Sequence, residues 1–453
     1  MADDTQARPE RAILELGDAF YDPVQGADFP QTILRFRNDR AAAGIGLDRW
    51  SDANWIAHLA RFPPLPGSLD TPLALRYHGH QFRQYNPDIG DGRGFLYAQL
   101  RDDAGRLMDL GTKGSGQTPW SRFGDGRLTL KGAVREILAT EMLEALGVET
   151  SRTLSVIETG EALERGDEPS PTRSAVLVRL SHGHIRIGTF QRLAYLRDAE
   201  HMEALVAYVL RHYYGEDVGD DGPARLLGHV VDRTARLAAS YMAAGFVHGV
   251  LNTDNINVTG ESFDYGPWRF AQSWDPSFTA AYFDHAGLYA FGRQPEAIHW
   301  NCMQLAVALR TVSEAPPLIA QLDRFAERYR IEIVRAMLWR LGVMPLDDAS
   351  DAALVEALEQ ALVTGGTAID PFFHDSFGGT VPDQYGEGFA GVRELLARYT
   401  PRKPRDHAHW ADPACGMPIE EVEALWAAID ERDDWAPLHA KVAAIRAMGE
   451  ALA

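Results

Sequence analysis

A change in hydrophobic periodicity constrains the fold of this chain more than any other feature. Before residue 181 the apolar runs are strand-like, and they lie at Phe95–Leu100, Leu107–Leu110, Thr153–Ile157 and Ala175–Leu180. From Met202 onward most segments have helical spacing, in the ranges 202–213, 223–244, 296–313, 316–341 and 351–362. One helix, KGAVREILATEMLEALG at 131–147, interrupts the first part. This order predicts an α+β fold of two lobes, the first β-rich and the second mainly helical, with a cleft between them.

Composition restricts the partners that such a protein can have. The chain has 453 residues and a formal net charge of −20, so its overall field repels nucleic acid and anionic membranes. Any phosphate site must therefore be a local basic pocket. The N-terminus MADDTQARPERA lacks an apolar segment, and no uninterrupted apolar run of about 18 residues occurs. We expect a cytoplasmic protein that binds neither nucleic acid nor membranes.

Two glycine-rich segments are candidates for a phosphate-binding site. In IGDGRG, residues 89–94, Gly90 and Gly92 permit close approach of the backbone to a phosphate, and Arg93 adds a charge. In LGTKGSGQTPWSRFGDGR, residues 110–127, Lys113 follows the second strand of a predicted hairpin, and a second GDGR repeats the first. Either segment alone is also compatible with a plain turn.

Charged residues near these segments strengthen the prediction. Glu136 lies early in the predicted helix, where it can pair with Lys113 as in protein kinases, although a charge favoured by the helix dipole is the alternative. Arg179 and Arg186 flank the turn-forming SHGH. Seven residues apart, they lie on opposite faces of a straight strand, so they can share a pocket only across a turn. Surface salt bridges are the alternative for both arginines.

The stretch GFVHGVLNTDNINVTGESFDYGPW, residues 245–268, has the spacing of a kinase catalytic loop followed by a DxG motif. Asn255 and Asp264 supply hard oxygen ligands that suit Mg²⁺ between phosphates, although NTDN is also a good Asx-turn sequence. Val250 occupies the position of the kinase catalytic aspartate and cannot act as a base. Asp254, four residues further on, can replace it, and the attacked phosphorus of the nucleotide would then differ.

Taken together, these motifs resemble the selenoprotein O family of protein adenylyltransferases, which have a kinase-like fold. The resemblance spans about residues 77–305 and rests on motifs in a fixed order: YHGHQF, GDGR, LGTKGSGQTPWSRFGDGR, REIL, ALGVETSRTLSV, HIRIGTF, HGVLNTDN, DYGP and YAFGRQP…HWN. It implies ATP as co-substrate and transfer of AMP to Ser, Thr or Tyr hydroxyls of proteins. The resemblance further implies that ATP is held in an orientation flipped relative to kinases.

The resemblance also implies a role for each matched residue. Asp254 would be the catalytic base, and Asn255 and Asp264 would hold Mg²⁺ or Mn²⁺. The residues implied to bind the nucleotide are Gly90, Gly92, Arg93, Lys113, Asp125, Gly126, Glu136, Arg179, Arg186 and Asp264. Two departures stand out: Arg83 replaces a glycine that usually follows GHQF, and no cysteine lies near the C-terminal AMGEALA.

The expected organisation has four parts. Residues 1–60 form an N-terminal extension, 61–195 the kinase-like N-lobe, 196–380 the helical C-lobe and 381–453 a C-terminal helical extension that matches the family poorly. Two other functions remain open on the sequence. One is an ordinary phosphotransferase acting on a protein or small molecule, and the other is a catalytically silent nucleotide-binding scaffold.

Overall fold

A computed structural model describes residues 6–166 and 169–453. The start of the predicted N-terminal extension, residues 1–5, lies outside the described residues. The strands are β1 (Arg8–Glu10), β2 (Tyr21–Pro23), β3 (Ile33–Arg37), β4 (Leu73–Leu75), β5 (Gly79–Gln81), β6 (Gln84–Asn86), β7 (Leu96–Arg101), β8 (Leu107–Lys113), β9 (Leu128–Thr129), β10 (Arg152–Leu163), β11 (Thr172–Ser181), β12 (Phe246–Val247) and β13 (Arg269–Phe270).

One antiparallel sheet contains most of these strands. Its order is β2-β4-β7-β8-β11-β10-β3, with β1 paired to β7 and β9 paired to β11. The predicted hairpin is confirmed, because β7 and β8 pair antiparallel around the DDAG turn. Strands β1, β2 and β3 come from residues 8–37, so part of the predicted N-terminal extension lies in the sheet itself. Strands β5 and β6 form a separate hairpin, and β12 and β13 pair antiparallel in a second two-stranded sheet.

Helices make up most of the chain after the sheet. They are α1 (Asp39–Ala43), α2 (Asp52–Arg61), α3 (Leu130–Ala145), α4 (Ile187–Leu196), α5 (Ala199–Val209), α6 (Gly222–Ala244), α7 (Gln294–Leu309), α8 (Ala315–Leu322), α9 (Phe325–Leu341), α10 (Asp348–Gly365), α11 (Ile369–Ser376), α12 (Ala390–Leu396), α13 (Ile419–Arg432) and α14 (Ala436–Leu452). The mixed α+β composition predicted from the sequence is confirmed.

Helix α3 is the helical element that positions the site against the sheet. Thr129 caps its N-terminus by accepting a hydrogen bond from the Gly132 N–H. The helix packs on β10, β11 and α14, and its apolar residues, among them Ile137, Leu138 and Met142, are fully buried. Burial of such side chains stabilises the fold by roughly 1.5–3 kcal/mol each. The same packing places Glu136 in the interior of the protein, next to β8.

The predicted helical ranges overlap observed helices, with two differences. Helix α5 ends at Val209, and the rest of the range 202–213 belongs to a short π-helix, Leu210–Tyr214. The range 316–341 is two helices, α8 and α9, separated at residues 323–324. Apolar spacing continues across the break, so periodicity alone does not reveal it. None of the described helices is long and apolar enough to cross a bilayer.

Candidate active site

A cavity of about 750 Å³, here called the main cavity, brings together residues that are far apart in the sequence. Ten of the predicted site residues line it: Gly90, Gly92, Arg93, Lys113, Asp125, Gly126, Arg179, Arg186, Asp254 and Asp264. The other two, Glu136 and Asn255, lie directly behind its wall. Glu136 contacts Lys113, and Asn255 follows Asp254 in the chain.

The Lys113–Glu136 pair is buried at the end of β8. Lys113 Nζ lies 2.5 Å from Glu136 Oε2 and 3.0 Å from Asp264 Oδ1, and both Lys113 and Glu136 are almost completely buried. Glu136 Oε1 has no hydrogen-bond partner among the described residues. A charge-assisted contact of this kind fixes the lysine in one position. The predicted pairing of strand lysine and helix glutamate is therefore present.

Asp264 contacts three cationic side chains, Lys113, Arg179 and Arg186, which we call the cation cluster. Besides Lys113, Arg179 donates from Nη1 to Oδ1 at 3.2 Å, and Arg186 donates from Nη1 to Oδ2 at 2.9 Å. Burial alone would raise the pKa of the Asp264 carboxyl, but the three positive charges outweigh it and hold the pKa well below its usual range. Asp264 thus stays ionised. Its backbone is left-handed, with φ of 67°.

The turn expected between Arg179 and Arg186 is present. Strand β11 ends at Ser181, and Arg186 directly precedes α4, so both guanidinium groups reach Asp264. Arg186 is fully enclosed: it stacks over Tyr77 at 4.4 Å and pairs with Asp91 at 3.3 Å. It also donates from Nη1 to the carbonyl oxygen of Asp254 at 2.9 Å. Arg186 therefore connects the loop that contains Asp254 with Asp264, because it hydrogen-bonds to both.

Asp254 lies in the wall of the main cavity with only 8% of its surface exposed. It belongs to a short 3₁₀ turn, Thr253–Asn255, and its Oδ1 has no hydrogen-bond partner among the residues that the structure describes. Burial raises the pKa of Asp254 to about 6, although the charge of Arg186 and a hydrogen bond from Gln81 act in the opposite direction. A carboxylate poised near neutral pH is suited to accept a proton.

The β5–β6 hairpin holds the Asp254 loop from outside. The backbone N–H of His80 donates to Thr253 Oγ1 at 2.7 Å, and that of Phe82 donates to Asn252 Oδ1 at 3.0 Å. Behind the loop, buried His248 contacts the Phe263 carbonyl through Nε2 at 3.1 Å. The loop is thus fixed on two sides.

Asn255 and Asp264 are the residues that could hold a divalent cation. Asn255 donates from Nδ2 to the Val250 carbonyl at 2.9 Å, a bond that does not use its amide oxygen. The described residues contain no cluster of three or more His, Cys, Asp or Glu side chains of the kind that forms an all-protein metal site. One amide and one carboxylate oxygen instead fit Mg²⁺, which usually takes its remaining ligands from phosphate and water.

The glycine-rich segments form the outer wall of the cavity. A Cβ atom on Gly90 would lie 2.6 Å from the Trp120 ring, so only glycine fits there. Gly126 has φ of 69° and packs against the Gly116 backbone. Asp125 is at the rim, where it pairs with Arg165 at 2.7 Å. Arg93 is exposed, and none of the described carboxylates lies within 4 Å of its guanidinium.

Several residues that line the cavity were not predicted from the sequence, among them Tyr77, Gln81, Asp91 and Trp120. Asp91 lies inside the predicted glycine-rich segment, but nothing in the sequence identifies it as the partner of Arg186. Tyr77 and Gln81 belong to YHGHQF, a motif whose residue types and spacing do not by themselves indicate a role in the site.

A family model described as "Protein adenylyltransferase SelO" matches residues 5–378. The chain belongs to the SelO family. The SelO match is longer than the 77–305 on which the sequence motifs rest, and it includes the N-terminal strands of the sheet.

Curated relatives extend the similarity further. "Protein nucleotidyltransferase YdiU" of Synechocystis sp. is 42% identical over 461 residues, covering 95% of this chain and 96% of the relative. The protein of the same name from Gloeobacter violaceus is 43% identical, covering 96% and 94%. That of Synechococcus elongatus is 53% identical over 339 residues, covering 74% and 68%. The family model ends at residue 378, as expected if the C-terminal part matches the family less well, whereas the alignments with the Synechocystis and Gloeobacter proteins extend beyond that residue.

Proposed function

We propose that this protein is a Mg²⁺-dependent protein adenylyltransferase that transfers AMP from ATP to Ser, Thr or Tyr hydroxyls of other proteins. Membership of the SelO family and the names of its relatives support nucleotidyl transfer. The observation that carries the proposal is the position of Asp254. Its buried carboxylate faces the cavity beside the cation cluster, whereas the position of a kinase base is Val250.

In this mechanism Asp254 removes the proton of the acceptor hydroxyl. The hydroxyl oxygen forms a bond to the α-phosphorus of ATP, the bond from that phosphorus to the bridging oxygen breaks, and pyrophosphate leaves with the electron pair. The proton remains on the Asp254 carboxylate until it passes to water. The raised pKa of Asp254 suits this role, because a base with a pKa near the working pH is partly ionised and still accepts a proton readily.

The cation cluster would stabilise the charge that develops on the phosphates. Lys113, Arg179 and Arg186 are already oriented by Asp264, so little reorganisation is needed when the nucleotide binds. Bound between Asn255 and Asp264, Mg²⁺ would supply additional neutralisation of phosphate charge.

We further infer that the chain has the two-lobed kinase-like arrangement of its family. The proposed N-lobe, residues 61–195, contains β7, β8, β10, β11 and α3, and the helical C-lobe spans 196–380, with extensions at 1–60 and 381–453. The proposed partners are ATP and proteins with exposed hydroxyl groups, in the cytoplasm. Nucleic acid is not proposed as a partner, because the net charge of −20 repels it.

Labelled ATP tests the reaction directly. The protein is incubated with Mg²⁺ and a protein mixture, and ATP carries the label on either the α- or the γ-phosphate. We expect label in protein only from the α position, and none with the Asp254→Asn variant. Label entering only from the γ position would establish a phosphotransferase instead. Binding of ATP with no labelling from either position would indicate the silent scaffold.

A further inference from the structure

A second cavity, of about 470 Å³, adjoins the main cavity on the side of α3, and we call it the adjoining cavity. Its volume lies in the range of about 300–1,000 Å³ that is typical of small-ligand sites. The two cavities share a wall of four cationic side chains, Arg93, Lys113, Arg127 and Arg165. An anion leaving the main cavity through this wall passes all four side chains, and Arg93 is the one of them without a carboxylate partner among the described residues.

Three more cations, Lys131, Arg135 and Arg269, line only the adjoining cavity. Four of these seven cations pair with carboxylates: Lys113 with Glu136 and Asp264, Lys131 with Glu423, Arg127 with Glu161, and Arg165 with Asp125. Among the described residues, the other three, Arg93, Arg135 and Arg269, have no carboxylate within 4 Å. In a chain with a net charge of −20, such a concentration of cations needs an explanation. It creates a local positive potential that attracts anions of high charge.

Arg135 and Arg269 are arranged like the side chains of an anion-binding site. Both donate to one acceptor, the Trp268 carbonyl oxygen, at 3.1 Å and 2.9 Å, so two like charges are held close together. Within residues 6–166 and 169–453, neither has a carboxylate within 4 Å. Burial and then the charge of Arg269 lower the pKa of Arg135 to about 10, which indicates that its positive charge is poorly compensated.

The N-terminus of helix α3 adds to this positive potential. Thr129 and Gly132, at the N-terminus of the 16-residue helix α3, also line the cavity. The helix dipole there favours negative charge. Arg135 additionally stacks over Trp268 at 4.7 Å, which limits the directions in which its guanidinium can move.

We propose that the adjoining cavity is a binding site for a polyphosphate anion, and that its occupant during the reaction is the pyrophosphate released from ATP. The second half of this statement rests on the proposed adenylyl transfer. No additional covalent step is involved: pyrophosphate passes from the main cavity across the shared cationic wall and is held by Arg135 and Arg269 before it leaves.

Calorimetry tests the site without requiring turnover. The full chain is saturated with Mg²⁺ and α,β-methylene ATP, a nucleotide that cannot release pyrophosphate, and is then titrated with pyrophosphate. We expect one pyrophosphate to bind per chain. Arg269→Gln and Arg135→Gln should each weaken this binding about tenfold, the effect of losing one charge-assisted contact. Arg330→Gln removes an exposed arginine elsewhere and should leave it unchanged.

Three outcomes would overturn the proposal. The first is failure of pyrophosphate to bind the nucleotide-saturated chain, and the second is binding to Arg269→Gln that is as tight as binding to wild type. Orthophosphate binding with equal affinity would overturn the assignment to pyrophosphate. Should Arg135→Gln fail to fold because the Trp268 stack is lost, Arg269→Gln and the charge-retaining Arg269→Lys carry the test. Because labelled ATP decides the transfer reaction separately, failure of that function and failure of this site are distinguishable.

Discussion

Gly79 packs against the carboxylate of Asp254 so closely that a Cβ atom on Gly79 would lie 2.8 Å from Asp254 Oδ1. The same Cβ would lie 3.1 Å from Ile89 Cδ1, so it could not be accommodated by a small shift away from the carboxylate. The φ angle of Gly79 is not in the left-handed region, and the residue lies in β5. Glycine is therefore required at this position because there is no room for a Cβ atom, and not because of the backbone conformation.

Replacing Gly79 with alanine should displace the Asp254 carboxylate while leaving the nucleotide pocket largely in place. A displacement of about 1 Å of a reacting group can reduce turnover by about 100-fold, so we expect kcat for transfer to fall about 10- to 100-fold. The affinity for α,β-methylene ATP, measured by calorimetry, should change less than threefold. Gly391→Ala is the matched control, because no atom lies near its added methyl group. Wild-type kcat in Gly79→Ala would show that Asp254 is not the base.

The rate should depend on the ionisation of Asp254. Since its pKa is raised to about 6, the fraction able to accept a proton falls tenfold per pH unit below that value. We expect kcat/KM to rise with pH up to about 6 and then level off. Any residual activity of Asp254→Asn should be independent of pH over the same window. A wild-type profile without an inflection between pH 5 and 7 would contradict the assignment.

The same pKa predicts how stability depends on pH. The native pKa of Asp254 lies above the value of about 3.9 expected in the unfolded chain, so the native state binds this proton more tightly. Its contribution is favourable below pH 4 and is lost as the pH rises to 6. At pH 7 Asp254→Asn should therefore be more stable than wild type by on the order of 3 kcal/mol, with no difference below pH 4. Urea unfolding in EDTA, at low protein concentration, measures this.

The sequence predicted the local chemistry of the site better than its three-dimensional contacts. Lys113, Glu136, Asn255 and Asp264 occur at spacings set by a strand, a helix and a loop, so their order along the chain indicates their positions. Asp91 is different, because its contact with Arg186 joins residues that are 95 positions apart. Such a pairing depends on how the sheet and α4 pack, which periodicity does not encode.

The β5–β6 hairpin illustrates the same limit. Phe82 and Arg83 both have positive φ angles, which are uncommon for these residue types, so local propensity does not favour the turn that they form. Hydrogen bonds from the hairpin to Asn252 and Thr253, about 170 residues away, hold it in place. In the sequence, Arg83 is only a departure from the usual glycine, and nothing there indicates that the hairpin holds the Asp254 loop.

The Asp264→Asn substitution should make the binding of ATP independent of the metal ion. Asparagine tolerates the left-handed backbone at this position, so the main effect is loss of the carboxylate that neutralises Lys113, Arg179 and Arg186. We expect metal-free ATP to bind more tightly, Mg²⁺ to give no further gain, and transfer to be abolished. Asp275→Asn, at an exposed carboxylate, controls for the change in net charge. Retention of Mg²⁺-dependent turnover in Asp264→Asn would exclude Asp264 as the cation ligand.

For the buried Lys113–Glu136 pair, we predict that the two single substitutions lower the free energy of unfolding by different amounts. Lys113→Met leaves Glu136 buried without a cation, because Lys113 is the partner of Oε2 and Oε1 has none among the described residues. Its free energy of unfolding should fall by about 3–5 kcal/mol. Glu136→Leu should cost less, since Lys113 keeps Asp264 as a partner at 3.0 Å. The double variant should be more stable than the sum of the single effects predicts, by at least about 1 kcal/mol. Urea unfolding of the four proteins measures this coupling, and strict additivity would mean that the two side chains do not stabilise each other.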